Sequence, residues 1–159
     1  MAPMRIGFCK LTDERHQLAI LRDDGARETV ECETRSLLAH DLLHYAVERE
    51  AGLTVGFWGT LAAGATLARM NDRTQPAPSA APEQLAVIEQ FVGALSGMVK
   101  GQPPEELVAG IRRYAAAMRT PPPIWLTDEL VTAVNDQMRR LMGQWRATPR
   151  GEEMALDWG

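Results

Sequence analysis

Two of the three histidines in the chain, His40 and His44, stand four residues apart in the segment His40-Asp41-Leu42-Leu43-His44-Tyr45-Ala46-Val47-Glu48. On a helix turning about 100° per residue, His40, His44, Glu48 and Asp41 share an arc of roughly 100°. The i, i+4 spacing allows one helix to offer two imidazoles to a single ion, so His40 and His44 are the candidate metal ligands and a divalent metal such as zinc the candidate cofactor. Asp41 and Glu48 are the candidate catalytic carboxylates. His44 is central, one turn from both His40 and Glu48 and three residues from Asp41, so it can pair with any of the others. Two other readings stay open: a metal-free acid/base or ligand site, and an ordinary solvated helix face whose histidines border the core. Against the last stands the absence of Lys and Arg, which commonly solvate such a face.

Eight residues at a 1.5 Å rise separate His40 from Glu48 by about 12 Å along a straight helix, so Glu48 is no third ligand beside both histidines. A third ligand must come from another element, and the one remaining histidine is His16. The His40-Asp41-Leu42-Leu43-His44 core resembles the His-Glu-x-x-His core of zincin-like metallopeptidases. That resemblance implies metal-dependent hydrolysis, with Asp41 standing where the family places a glutamate as general base. Downstream, Gly56-Phe57-Trp58-Gly59 has two readings: Phe57 and Trp58 as an aromatic ligand-binding wall beside His44 and Glu48, or as a plug for the core. The wider pattern Asp41-Leu42-x-His44-x-x-Val47-Glu48 followed by Gly56-Phe57-Trp58-Gly59 resembles one that recurs in small bacterial proteins of unknown function, a resemblance that names no activity.

The helix carrying these residues begins near Thr34, where hydrophobic period changes from 2 to 3.6, and stops at Gly52. Ahead of it, alternation predicts three antiparallel strands near residues 4–11, 16–22 and 27–33. Read as a three-residue loop, Asp23-Asp24-Gly25 pairs Ile20 with Glu28, Leu18 with Val30 and His16 with Cys32. Leu18, Ile20, Val30 and Cys32 then share one face, and Gln17, Arg27, Thr29 and Glu31 the other.

After the helix, 56–59 reads as a tight connection and 61–70 as a helix of small residues. Residues 71–82, with three prolines, read as an exposed linker. Leu85, Ile88, Val92, Leu95 and Val99 mark a further helix ending at Gly101. Leu107, Ile111, Tyr114 and Met118 mark the next, and Thr127 caps a last one running to Trp145. Met154, Leu156 and Trp158 alternate with polar or small neighbours and suggest a fourth strand. Strands first and helices after them predict a single α+β domain over residues 1–159, with about five helices.

The 159 residues are 45% hydrophobic and 24% charged, with 17 basic and 21 acidic side chains. With no run of Lys or Arg, nucleic acid and anionic membranes are not expected partners. The longest uncharged stretch, 53–68, is shorter than the roughly 20 residues of a membrane helix. No secretory signal is legible at the start, and Cys9 and Cys32 lack Cys-x-x-Cys spacing, so a cytoplasmic protein with buried free thiols is expected. Phosphate-loop, dinucleotide and serine-elbow patterns are missing. The function expected is a small binding or interaction protein, with an unidentified protein or small molecule as partner and self-association left open. The alternative is a metal-dependent hydrolase using His40 and His44.

Overall fold

The Asp23-Asp24-Gly25 loop closes the hairpin between the second and third strands in the register that its length dictates. In the computed structural model, which describes residues 3–97, 101–117, 119 and 121–159, Gly25 takes a φ of 86° and Asp24 Oδ1 accepts from the Ala26 N–H at 2.9 Å. Strands β1 (Met4–Lys10), β2 (Arg15–Arg22) and β3 (Arg27–Glu33) are antiparallel, and Ile20, Leu18 and His16 face Glu28, Val30 and Cys32. The tail forms β4 (Glu153–Trp158), which pairs with β1 and gives the order β3-β2-β1-β4. Met154, Leu156 and Trp158 join Met4, Ile6 and Phe8 on the buried face. Cys32 is buried, but Cys9 is only half-buried because it falls on the opposite face.

Among the described residues the chain forms six α-helices: α1 (Thr34–Glu50), α2 (Phe57–Ala62), α3 (Leu67–Asn71), α4 (Pro82–Leu95), α5 (Pro104–Ala117) and α6 (Asp128–Ala147). Helix α1 is the central one, packed on α2, α4, α6 and β3, and every residue from Asp41 to Glu48 is buried. From Asp41 onward its polar stripe is therefore an interior surface, and each buried group in it needs a partner, whereas His40 is exposed. The Thr127 hydroxyl caps α6 by accepting from the Leu130 N–H at 3.1 Å. The fold is α+β, as the order of the elements predicts, with one helix more than expected. No helix among the described residues is long and apolar enough to cross a membrane.

The additional helix arises where one was expected over 61–70. The chain there is α2, a break at Gly64 with φ 115°, and then α3. Two side chains from the β2–β3 hairpin hold this break open. Arg22 pairs with Glu28 at 2.7 Å and donates to the carbonyls of Leu61 and Ala65, while Glu28 Oε1 accepts from the Leu67 N–H at 3.0 Å. A continuous helix would deny these distant groups their backbone partners. The 56–59 segment also differs from the expected connection, since α2 starts within it. Tyr114, expected on the apolar side of α5, is 57% exposed. Val99 and Met118, assigned to apolar stripes from the sequence, lie outside the described residues.

Candidate metal centre

His44 has no solvent exposure and presents both ring nitrogens to carboxylates. Nδ1 is 3.1 Å from Glu48 Oε2, one turn along the same helix. Nε2 is 3.1 Å from Glu89 Oε2 of α4. Burial alone would lower its pKa, but the hydrogen bonds and charges of Glu48 and Glu89 outweigh that and raise it to about 9. The metal-free ring is accordingly an imidazolium donating from both nitrogens. Burial pushes Glu89 upward, yet its hydrogen bond to His44 prevails and its pKa is lowered.

Glu48 is fixed from the other side. Its carboxylate accepts from the backbone N–H groups of Phe57 at 3.0 Å, Trp58 at 3.0 Å and Gly59 at 3.2 Å. It thus satisfies the otherwise orphaned donors at the start of α2. Gly56 makes room for it: a Cβ there would lie 2.3 Å from the Glu48 carboxyl carbon. One buried carboxylate therefore locks α2 to α1 and orients His44.

His40 repeats part of this pattern at the surface. Its ring is 47% exposed, with Nδ1 3.2 Å from Asp41 Oδ1, and its centroid is 4.7 Å from that of His44. Asp41 is buried, and its main-chain oxygen accepts from the Trp58 indole N–H at 3.0 Å. Each histidine thus has a carboxylate on Nδ1, the arrangement that fixes metal-ligating imidazoles and leaves Nε2 for the ion.

Single ligand atoms of His40, His44 and Glu89 lie within 4.8 Å of one another. Zinc bonds of about 2.0–2.1 Å in a tetrahedron put ligand atoms about 3.3 Å apart, so binding requires a contraction of about 1.5 Å at most. The exposed ring of His40 is the member with freedom to move. Two imidazoles and one carboxylate leave a fourth position for water or substrate, as in catalytic zinc sites. Glu89 is the residue that the sequence reading misses. Its signal is its phase: with Leu85 four residues before and Val92 three after, it is an acid interrupting the apolar stripe of α4.

Of the residues singled out from the sequence, the structure pairs His40 with Asp41 and His44 with Glu48 along α1, and turns the touching rings of Phe57 and Trp58, with centroids 4.8 Å apart, toward different surroundings. Phe57 lines a cavity of about 610 Å³ beside His40, Asp41 and Glu89. Trp58 has no exposure and packs its ring against Phe8, with centroids 6.3 Å apart, so it forms no part of the cavity wall. His16 also lies apart, buried between Phe8 and Trp145 with Nδ1 2.9 Å from the Thr34 hydroxyl. Burial lowers its pKa, the nearby Asp41 charge opposing. A larger groove of about 870 Å³ between α4 and α5 is lined by Phe91, Leu107, Ile111 and Tyr114 among others, and no histidine lines it. Comparison with known proteins finds no matching family model, no matching curated protein and no matching solved structure.

Proposed function

We propose that the protein is a metal-dependent hydrolase whose divalent ion, zinc by ligand type, is held by His40, His44 and Glu89. The observation carrying this reading is the convergence of these three ligands from two helices, with His40 and Glu89 on the wall of a cavity, His44 buried behind them and each imidazole oriented through Nδ1. The ion would supply a polarised water and a Lewis acid for a carbonyl or phosphoryl oxygen. Asp41 and Glu48, which are the carboxylates on the two Nδ1 atoms, are assigned positioning roles in this reading. A second reading has a specific support: with both of those carboxylates engaged, the protein would bind a ligand in the cavity without transforming it.

Zinc titration of chelator-treated protein, in competition with a chromophoric chelator, tests the first reading. One equivalent should bind, and His44→Ala or Glu89→Gln should weaken it at least tenfold, since each removes one of three ligands. His16→Ala, which empties a core position, should lower the melting temperature and leave zinc affinity unchanged. Absence of zinc binding, or equal losses at His16 and His44, would sink the metal reading. Hydrolysis of a simple nitrophenyl ester that requires zinc separates enzyme from binding protein.

A further inference from the structure

The cavity beside the candidate metal centre has a chemical polarity of its own. Leu18 and Val30 of the sheet, Leu37 of α1, Phe57, Met70 and Leu85 give it apolar walls, while His40, Asp41 and Glu89 form a polar side. Its volume of about 610 Å³ lies within the range of about 300–1,000 Å³ usual for small-molecule sites. The linker between α3 and α4 contributes Arg73 to the lining. Arg73 is exposed on that linker and makes no ion pair or side-chain hydrogen bond among the described residues.

We propose that this cavity takes a small ligand with an apolar body and a single carboxylate, the carboxylate held at Arg73 and the body against Leu18, Val30 and Phe57. As a substrate class it rests on the metal reading of the site, whereas binding of the acid itself needs only the cavity and Arg73. The charges favour a monoanion. A divalent ion offset by Glu89 and Asp41, together with Arg73, leaves one net positive charge facing the cavity. Glu31, another lining residue, is paired with Arg15 at 3.5 Å, and the Glu48 charge is met by three N–H donors. A dianion such as a phosphate monoester would leave an uncompensated charge against apolar walls.

Calorimetric titration with octanoate and with 1-octanol, on zinc-loaded and on chelator-treated protein, tests this. Octanoate should bind at one site in both forms, at Arg73 and the apolar walls, and more weakly in the chelator-treated form, which lacks the charge of the ion. Arg73→Gln should weaken octanoate about tenfold, the scale of one charge-assisted contact, and leave 1-octanol unchanged. Ala86→Trp, a substitution at an exposed helical position on the cavity wall, should weaken both. Equal effects of Arg73→Gln on acid and alcohol, or octanoate binding indifferent to Ala86→Trp, would overturn the proposal. Octanoate binding that persists in a protein unable to bind zinc would refute the metal reading and leave this inference standing.

Discussion

Glu48 holds His44 through Nδ1 at 3.1 Å with the same carboxylate that accepts three backbone N–H groups of α2. An interior carboxylate of this kind is costly to desolvate unless every lone pair is used, and here donors approach it from both sides. The metal-site candidate and the α1–α2 junction are consequently one structure, and a change to either is felt in the other.

Replacement of Glu48 by glutamine tests that coupling. The amide keeps one acceptor and turns a donor toward either the α2 N–H groups or the His44 ring. Glu48→Gln should destabilise the protein by about 3 kcal/mol, the scale for breaking a buried pair. It should also lower zinc affinity about 10- to 100-fold, as loss of an outer-shell partner does. Denaturant unfolding with zinc titration of the folded variant reads both, and a stable variant with unaltered zinc affinity would contradict the assignment.

The pH dependence of the metal-free protein has opposite branches from two histidines. His44 has a folded pKa of about 9, above its unfolded value of about 6.5. Its contribution is therefore complete below pH 6.5 and is lost as pH rises through about 9. Over that interval stability should fall by on the order of 1 kcal/mol per pH unit, as one extra proton is held in the folded state. His16, whose pKa burial lowers, acts the other way. Its neutral folded form costs stability as pH drops below about 6.5, where the unfolded imidazole takes up a proton. Stability measured by urea unfolding should peak near pH 6.5, and His44→Gln should remove the alkaline branch alone. A profile flat from pH 6.5 to 9 would exclude the paired His44. Zinc must displace a proton from this ring, so its affinity should rise with pH over the same interval.

Removal of residues 152–159 deletes β4 and with it the buried side chains of Met154, Leu156 and Trp158. It also removes the Asp157 carbonyl that accepts from the Tyr45 hydroxyl at 2.8 Å. Each large side chain lost from the core is worth about 1.5–3 kcal/mol, so the melting temperature should fall by about 10 °C or more. An unchanged melting temperature would mean that the edge strand contributes nothing.

The register of β2 with β3 was legible because the turn residues and the alternation agree: Asp24 and Gly25 set the loop length, and Leu18, Ile20 and Val30 can share only one face. The tail strand was legible from alternation alone. The division of 61–70 was not, because Arg22 and Glu28, which hold α2 and α3 apart, lie on strands about 40 residues away in sequence. Glu89 was missed for a related reason. An acid on an amphipathic helix is commonplace, and its meaning comes only from packing α4 on α1, which brings it to His44 across 45 residues of sequence. Helical phase alone gives His40, Asp41, His44 and Glu48 a common face, but it cannot say that this face is buried from Asp41 to Glu48 and exposed at His40.

Gly56 offers the sharpest test of that interior face. Its φ of −82° is ordinary for any residue, so backbone strain plays no part. The obstacle is space alone, since a methyl group would overlap the Glu48 carboxylate. Gly56→Ala should force the carboxylate away from the α2 N–H groups and from His44 together, costing about 2–4 kcal/mol as an overpacked site that also loses buried hydrogen bonds. Gly93→Ala in α4, where nothing lies within 4 Å, should instead be neutral or stabilise by up to about 1 kcal/mol through helix propensity. Because Gly56→Ala acts through Glu48, combining it with Glu48→Gln should cost much less than the two changes added separately. Unfolding free energies of the single and double variants measure this directly. Strict additivity, or a Gly56→Ala protein as stable and as tight for zinc as the parent, would show that the glycine does not serve the Glu48–His44 pair.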